Sequence, residues 1–414
     1  MTDRDALYRA ILDNPEDDTL RLVYADALEE SGDPQRADFI RTQIELSHLP
    51  EYDPLWVQVR RHGPVRTFNP LWTAELDLPD GIDWARAPFR RGLPGAVQLS
   101  EGAAFVTRAD ELFLRYPIES LELPTLSIPE ARAFAECSWL ERLASLSLTA
   151  GSGRHVVREV LASPHLLRLT ELRVGSALTT PGTVSAILRS RVFGRLTSFG
   201  LRNDLRDGGL LASEFARLGR PPQLKKLDLS SNRLTADGLA ALVTSDAVAT
   251  VQDFDLSDNN LGAAGAAALA RGSLPALRAL RLLRTGPQEG GVDALVGADF
   301  LPELRSLSLG GNHLGPAAAS AVANGPVENL RVLDLRETRI GDRGAAALAQ
   351  SPRLAGLLEL DLAESHVGDA GARALADAPH LGELLYLNLY GNPISPDGAA
   401  RLRARFGDRV FLPH

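Results

Sequence analysis

Residues 224–234 decide the fold, and they read Leu224-Lys-Lys-Leu227-Asp-Leu229-Ser-Ser-Asn232-Arg-Leu234. This frame of apolar positions returns along the chain at intervals of 25 to 28 residues, as L-x-x-L-x-L-x-x-N-x-L or a near variant. Clear copies begin at Val251, Leu304, Leu330, Leu357 and Leu384, and weaker copies at Ile118, Leu143, Leu169, Leu196 and Leu277. A degenerate copy begins near Pro94, with Val97 and Leu99 as its apolar pair. Self-similarity at a fixed period of this length indicates a stacked repeat array.

Each copy predicts one strand followed by one helix. The alternation places Leu227 and Leu229 on one face of a strand, with Lys226, Asp228 and Ser230 on the other. A glycine then follows four residues after the last apolar position, at Gly238, Gly265, Gly344, Gly371 and Gly398. The Ala- and Leu-rich run after it favours a helix. Because one repeat cannot bury its own apolar face, the copies must stack into an α/β solenoid with a parallel sheet and flanking helices.

The frame resembles the leucine-rich repeat family, in the long-repeat subtype of ribonuclease inhibitor, and the resemblance covers residues 94–414. The resemblance implies a horseshoe with a concave parallel sheet and convex helices. It also implies that the asparagine of the frame is buried and bonds the backbone of the neighbouring coil. The asparagines in question are Asn232, Asn259, Asn312 and Asn392. Thr285, Thr338 and Ser365 take this position in other copies and can satisfy fewer bonds, and Asp204 is a fourth substitute.

Residues 1–48 predict a small three-helix domain ahead of the array. Its first helix begins at Thr2 or Asp3 and ends at Asn14-Pro15. The second spans Thr19 to Glu30, and Asp33-Pro34 starts the third. The stretches 22–30 and 36–43 resemble the bacterial repeat-companion domain, with a match that extends through Phe89-Arg90-Arg91-Gly92-Leu93 to residues 84–97. That domain has no established role.

The remaining pieces are predicted to be caps of the array. Residues 49–93 are rich in proline and hold three of the four tryptophans, which favours an irregular N-terminal cap stabilised by aromatic burial. The array itself is assigned to residues 94–414. At its end, Arg409-Val410-Phe411-Leu412 follows Phe406-Gly407-Asp408 and predicts a last closing strand.

Composition excludes several classes of protein. The 414 residues are 44% hydrophobic and 23% charged, which are ordinary globular values. The single cysteine rules out an intramolecular disulfide framework and a cysteine-rich zinc site. The absence of a long apolar run predicts no membrane span, and the charged first residues predict no secretory signal, so we expect a cytoplasmic protein. The net charge is -9, of which residues 1–48 contribute -7, so binding to nucleic acid is disfavoured.

No reaction motif was found, so no catalytic, cofactor-binding or metal-binding residues are predicted. Cys137 lies in an apolar stretch and is interpreted as a buried, inert thiol. His155 and His165 have no metal-ligand spacing, and Gly151-Ser-Gly153 is interpreted as a loop.

One acidic cluster leaves two interpretations open. Asp26 and Glu30 share a helix face, with Glu29 beside them, and two carboxylates suit a cation or acid/base site. The alternative is a solvated surface in which Asp26 bonds to Arg36 or Arg41.

The residue between the two strand leucines lies at the centre of the predicted concave sheet. From repeat to repeat this central residue is Glu122, Ser147, Arg173, Gly200, Asp228, Asp255, Arg281, Ser308, Asp334, Asp361 and Asn388. The residues predicted to bind a partner are Asp228, Asp253, Asp255, Arg281, Asp334, Arg336, Glu359, Asp361, Tyr386, Asn388 and Tyr390. Acidic groups dominate this set, which favours a protein partner with a basic surface, and exposed tyrosines are common interface anchors. The alternative is that these charges only keep the sheet solvated.

The sequence therefore predicts a non-enzymatic interaction or scaffold protein that binds a partner protein on its concave face, without a cofactor. One alternative is a substrate-recognition subunit of a modifying enzyme complex. Another is a purely structural spacer. The oligomeric state is left open.

Overall fold

The computed structural model describes residues 3–62, 71–74, 76–148, 153–175, 181–202, 213–215, 217–218 and 223–412. The chain divides into two compact units, Met1–Gly200 and Leu201–His414, each described by itself below. The predicted helix start at Thr2, the asparagine substitute Asp204 and the loop residues Gly151 and Ser152 lie outside the described residues.

The first unit begins with three helices, close to the sequence prediction. They are α1 Asp3–Asp13, α2 Asp18–Glu30 and α3 Pro34–His48. The Asp17 side chain accepts a bond from the backbone N–H of Thr19 at 2.8 Å, which satisfies a donor at the start of α2. Asp33 accepts from the N–H of Arg36 at 3.1 Å and so caps α3, with Pro34 in its first turn.

The apolar faces of the three helices form one core, which also takes in a residue from a later hairpin. Ile11, Tyr24, Leu28 and Ile40 are among its buried members, and Leu93 joins them from outside residues 1–48. Leu93 belongs to the strand β3 Leu93–Pro94, which pairs with β2 Phe89–Arg90. Gly92 has a φ of 80°, and a Cβ there would lie 2.4 Å from the Cα of Ile40. The turn therefore requires glycine, both for its backbone conformation and for its close approach to α3.

The described part of the stretch between α3 and the repeats is irregular and rich in aromatic contacts. It contains α4 Pro54–His62, α5 Leu71–Ala74 and β1 Ile82–Trp84. The ring centroids of Trp72 and Phe89 each lie 5.1 Å from that of Phe39 on α3. The Trp84 ring packs edge-on against Tyr116 at 5.2 Å.

A buried ionic network joins α2 to the first repeats. Arg21 is 0% exposed, and its Nη2 donates to Oε1 of Glu119 at 2.6 Å and to the carbonyl of Pro15 at 2.7 Å. Arg91 bonds to the same carboxylate of Glu119 and to Asp18 at 2.9 Å. Two guanidinium groups on one carboxylate leave the buried Glu119 charge compensated, as a buried charge requires.

The first unit contains five repeat strands, and each of the first four is followed by a helix. The strands are β4 Ala96–Leu99, β5 Ser120–Leu123, β6 Ser145–Leu148, β7 Glu171–Val174 and β8 Ser198–Leu201. The helices are α6 Gly102–Arg115, α7 Ile128–Ala135, α8 Arg154–Leu161 and α9 Pro181–Leu188, with 3-10 turns at Ser138–Arg142 and Phe193–Arg195. Strands β4 to β7 pair in parallel, and β1 pairs antiparallel with β4 at the edge. Val97 and Leu99 are buried, so the degenerate first copy of the frame is a true repeat.

The second unit repeats the pattern more regularly. Its strands are β9 Lys226–Asp228, β10 Asp253–Asp255, β11 Ala279–Arg281, β12 Ser306–Ser308, β13 Val332–Asp334, β14 Glu359–Asp361, β15 Tyr386–Asn388 and β16 Val410–Phe411. They pair in parallel and in chain order, and β16 is the predicted closing strand. The helices are α10 Ala236–Val243, α11 Gly262–Ala270, α12 Gln288–Val296, α13 Gly315–Asn324, α14 Gly341–Gln350, α15 Asp369–Ala376 and α16 Pro396–Phe406. Short 3-10 turns occupy Asp246–Val248, Leu301–Glu303, Pro352–Leu354 and Gly407–Arg409.

Small residues in the helices let neighbouring repeats approach closely. A Cβ on Gly344 of α14 would lie 2.6 Å from the Cβ of Ile340 and 3.0 Å from that of Ala319 on α13. Packing therefore requires the glycine four residues after the frame. The space that a larger side chain would need is filled by the last apolar residue of the frame and by the preceding helix.

The asparagine prediction is confirmed by the hydrogen bonds between coils. Asn259 Oδ1 accepts from the backbone N–H groups of Asn232 and Leu234, at 3.0 and 2.9 Å. Its Nδ2 donates to the carbonyls of Leu229, Leu256 and Ser257 at 2.8 to 3.2 Å. Asn312 and Asn392 repeat this arrangement with their own preceding coils; both are buried, as are Asn232 and Asn259.

The three substitutes make fewer bonds, as predicted. Thr285 Oγ1 donates only to the carbonyl of Leu282, at 2.9 Å, and Thr338 Oγ1 donates only to that of Leu335. Ser365 Oγ donates to the carbonyl of Leu335 in the preceding coil at 2.7 Å, and accepts from the N–H of Thr338 at 3.5 Å. A hydroxyl on a short side chain cannot reach the set of groups that an amide reaches.

Candidate interaction surface of the second unit

The central residues of the second unit form one continuous row on the sheet face opposite the buried leucines, here called the strand face. Successive strands pair the central residues directly, in the order Asp228, Asp255, Arg281, Ser308, Asp334, Asp361, Asn388 and Phe411. Neighbouring strands in a sheet are about 4.8 Å apart, so side chains in such a row are within reach of one another.

In five members of the row, the side chain accepts a hydrogen bond from the backbone N–H two residues further along the chain. Oδ1 accepts from the N–H of the second following residue in Asp228 (3.0 Å), Asp255 (2.9 Å), Asp334 (3.1 Å), Asp361 (3.0 Å) and Asn388 (3.1 Å). Each bond stabilises the turn that leaves the strand, as Asp and Asn commonly do. The sequence analysis did not predict this role of the side chains in the turn. The signal for it was that Asp or Asn fills five of the seven central positions in β9 to β15.

Ser230 was predicted to share a face with Lys226 and Asp228. Its side chain is buried, and its Oγ donates to Asp228 Oδ1 at 2.6 Å. The strand ends at Asp228, so strand alternation no longer governs Ser230.

Arginines neutralise part of the predicted acidic surface. Arg281 pairs with Asp253 on the neighbouring strand, and Arg202 Nε lies 2.6 Å from Asp228 Oδ2. Arg284 binds Asp258 through two nitrogens, at 2.6 and 2.9 Å. A bidentate pair of this kind holds both side chains in one geometry.

Asp334 lies in the least exposed part of the row. Its side chain is 14% exposed, with Arg336 Nε at 3.6 Å and Asp361 beside it on the next strand. Burial raises the pKa of Asp334 to about 6, Arg336 opposes the rise, and the charges of Asp361 and Glu359 add to it. Asp334 therefore changes charge close to neutral pH, unlike an exposed aspartate.

Aromatic rings end the row. Tyr390 and Phe411 are each 49% exposed, and their rings stack with centroids 5.9 Å apart. Tyr386 lies beside Glu359 in register and is half-buried. Phe411 was not among the predicted partner-binding residues. Its place on the closing strand opposite Asn388 was the signal that would have found it.

The other predicted features belong to the first unit. Asp26 and Glu29 both bind Arg41 Nη2 at 2.6 Å, which confirms the paired interpretation for Asp26. Cys137 is half-buried rather than fully buried, and burial raises its pKa, so the thiol stays protonated at neutral pH. His165 Nδ1 lies 2.9 Å from Glu141.

Neither a metal-binding cluster nor a helix able to span a membrane occurs in the described part of the chain. Among these residues, no group of three or more His, Cys, Asp or Glu side chains is arranged to hold a metal ion. None of the described helices is long and apolar enough to cross a membrane.

Comparison with known families finds repeats where the frame is clearest. The family described as "Leucine Rich repeat" matches residues 222–243, 249–270, 302–323, 328–349 and 357–376. A curated relative is the "Tonsoku-like protein" of Mus musculus, 37% identical over 141 residues. That match covers 31% of this chain and only 10% of the mouse protein, so the chain spans a small part of that relative's length.

Solved structures give likenesses of fold. The chain is similar to one in the crystal structure of a complex of Rad7 and Elc1 in yeast, with a TM-score of 0.53, 16% identity and 94% coverage of both chains. An internalin (inlF) from Listeria monocytogenes gives a TM-score of 0.39, with 18% identity over 69% of this chain and 77% of that one. A chain of the TLR13-ssRNA13 complex gives 0.41, with 17% identity over 67% of this chain and 40% of that one.

Proposed function

We propose that this leucine-rich repeat solenoid is a non-enzymatic interaction protein that holds a partner protein on its strand face. The observation that carries the proposal is the unbroken row from Asp228 to Asn388, which ends at the exposed, stacked rings of Tyr390 and Phe411. The exposed rings resemble the anchors of protein interfaces, whose energy is concentrated in a few rings and arginines. The partly exposed charges of the row can complement charges on a partner. A small metabolite instead requires a concave, mostly apolar pocket.

The partner is proposed to carry basic groups. Asp255 and Asp361 each have one oxygen bonded to backbone, and within the described residues neither makes an ion pair. Lysines or arginines of a partner would find acceptors there, and the aromatic end would take an apolar side chain. Where Arg281 and Arg284 already pair with aspartates, the partner gains less, because those charges are compensated.

The finer assignments made from the sequence are retained as proposals. Repeat spacings of 25 to 28 residues, with a helix in most repeats, support the ribonuclease-inhibitor-like subtype. The three helices of residues 1–48 support a repeat-companion domain, followed by a cap at 49–93 and the array at 94–414. A cytoplasmic location and a lack of nucleic-acid binding remain predictions from charge and composition.

The test is a binding comparison that preserves the fold. Asp255→Asn and Asp361→Asn keep an oxygen for the backbone bond and remove the charge, and Tyr390→Ser removes one anchor ring. The matched control is Asp237→Asn with Asp293→Asn, which removes two charges from exposed positions on helices α10 and α12. Affinity capture from native lysate with the parent, the triple variant and the control identifies any partner whose recovery depends on the strand face.

The outcome is then measured by calorimetric titration of the purified partner. We expect the triple variant to bind at least about tenfold more weakly, with the control unchanged. Equal affinity of parent and triple variant would refute the strand face as the site. A captured protein whose covalent modification requires this chain would instead support the substrate-recognition alternative, and an absence of any strand-face-dependent partner would support a structural spacer.

A further inference from the structure

A second surface, on the helical side of the first unit, combines exposed arginines with a groove. The groove has a volume of about 600 Å³ and lies between α8, α9 and the turns that follow them. Four arginines line it: Arg158, Arg189, Arg191 and Arg195. None of the described residues that line it is acidic. This surface, the arginine groove, is positive in a chain whose net charge is -9.

The four guanidinium groups differ in the hydrogen bonds and ion pairs that they make. Arg195 Nη2 donates to the carbonyl of Leu166 at 2.7 Å, which fixes the side chain against the groove wall. Arg158 Nη2 lies 3.7 Å from Oε1 of Glu159. Arg189 and Arg191 are exposed, and within the described residues they make no ion pair or side-chain hydrogen bond. The groove thus offers two free cations beside two held ones, and arginine binds carboxylates in a bidentate manner.

The groove also has an apolar patch. Leu167 is 54% exposed, among the most exposed large hydrophobic side chains in the described residues, and Pro164 lies beside it in the lining. Leu161 and Val192 supply buried apolar wall. An exposed leucine flanked by arginines resembles the centre of an interface more than a solvated surface, because interfaces combine apolar area with arginine.

We infer that the arginine groove binds an acidic peptide segment of a partner protein that also carries an apolar side chain. The apolar side chain would pack on Leu167, and neighbouring carboxylates would bind Arg189, Arg191 and Arg195. Charge complementarity favours this occupant. A nucleic acid is a poorer fit, because no aromatic ring lines the groove for base stacking and the acidic chain repels a polyanion. The inference is independent of the strand face, which lies in the other unit.

The test is a selection of random peptides displayed on phage, with the full chain as bait. Peptides that also bind the variant Arg189→Glu/Arg191→Glu are removed by counter-selection. Enriched peptides are synthesised, and their affinities are measured by fluorescence anisotropy for the parent, this variant and Leu167→Asp. The matched control is Arg108→Glu/Arg154→Glu, which reverses two exposed arginines of the first unit outside the groove. Circular dichroism verifies that each variant is folded.

We expect enrichment of Asp and Glu together with Leu, Ile, Phe or Trp. Either groove variant should weaken binding about tenfold or more, and the control should not. Affinity should also fall as salt rises. Enrichment of neutral or basic peptides, or affinities that the groove variants leave unchanged, would overturn the inference. So would tighter binding of a single-stranded RNA oligonucleotide in the same assay, or a groove-dependent dimer in analytical ultracentrifugation, which would assign the groove to a nucleic acid or to a second copy.

Discussion

The repeats of the first unit and those of the second have the same period but different interiors. In the second unit, Asn232, Asn259, Asn312 and Asn392 each join their own coil to the one before by buried hydrogen bonds. In the repeat of the first unit that begins at Ile118, the same position of the frame holds Leu126, which is buried. The helices differ in parallel: α6 and α7 bury Phe105, Phe113 and Phe134, whereas α11 to α15 bury mainly alanine and leucine.

The difference shows that one repeat length accommodates two ways of holding coils together. Aromatic rings bury large apolar areas, so they can stabilise the less regular repeats beside the cap. An amide that satisfies five backbone groups is directional, so it fixes the register of one coil on the next and suits a regular array. Narrow, alanine-rich helices follow, because close coils leave no room for larger side chains.

The two units can be followed separately. All four tryptophans, Trp56, Trp72, Trp84 and Trp139, lie in the first unit, so tryptophan fluorescence reports on that unit alone. Far-ultraviolet circular dichroism reports on both. Repeat arrays often unfold in parts, so the two signals are expected to diverge when only one unit is weakened.

The largest effect is expected from Phe134→Ala in the first unit. Phe134 is fully buried, with its ring centroid 4.9 Å from that of Phe105. Its removal leaves a cavity in the aromatic interior and should cost about 4 kcal/mol of unfolding free energy. Denaturant unfolding should show the loss by tryptophan fluorescence. The matched control is Phe254→Ala on strand β10. It should shift the circular dichroism transition and leave the fluorescence transition unchanged. A shift in both signals would show that the two units do not unfold independently.

Asn259→Ala tests the polar interior of the second unit. Truncation leaves two backbone N–H groups and three carbonyls without the amide, so we expect a loss of about 3 kcal/mol by circular dichroism. The neighbouring Asn260 is exposed, and Asn260→Ala should be neutral. Equal midpoints for parent and Asn259→Ala would show that water or rearrangement replaces the lost bonds.

Asp334→Asn tests the strand face through pH. The pKa of Asp334 is raised to about 6 from 3.8 in the folded protein, so folding favours the protonated form. The contribution of this group to stability is full below pH 3.8 and is lost as pH rises through 6. The variant should therefore match the parent at pH 4 and exceed its stability by about 3 kcal/mol at pH 7.5. A constant difference between the two proteins across this range would exclude Asp334 as the titrating group.

Thr338→Val should give the smallest effect. It tests whether the number of hydrogen bonds explains the preference for asparagine in the second unit. The threonine hydroxyl donates only to the carbonyl of Leu335, and valine has nearly the same shape. We expect a loss of about 1 kcal/mol, one hydrogen bond's worth, against the larger loss at Asn259. If the two variants lost equal stability, the number of bonds would not explain the preference for asparagine.

Much of the fold follows from the sequence, because strand alternation, helix caps and the repeat period are local signals. The three N-terminal helices and the closing strand were predicted from such signals, and the burial of the asparagines was implied by the family resemblance. The contact of Leu93 and Gly92 with α3 was not, because it joins residues about fifty positions apart through packing alone. The buried pairing of Arg21 with Glu119, 98 residues away, escaped prediction for the same reason.

The candidate surface was predicted in part. The row of central residues follows from the frame, since equivalent positions of stacked copies must align. Its electrostatics do not, because the sequence does not reveal that Arg281 reaches Asp253 or that Asp334 is shielded from solvent. The arginine groove was missed entirely. Three of its arginines, Arg189, Arg191 and Arg195, lie in the turns after α9, where no periodicity marks them.

The backbone bond made by Asp228, Asp255, Asp334, Asp361 and Asn388 separates shape from charge. Because aspartate and asparagine accept that bond alike, a single-nucleotide change can add or remove one negative charge in a repeat and leave the turn intact. Evolution can therefore retune the partner preference of such a surface in unit steps without passing through a misfolded intermediate. Asn388 is a position where the uncharged residue is present, and a designer can choose between Asp and Asn at the other four positions.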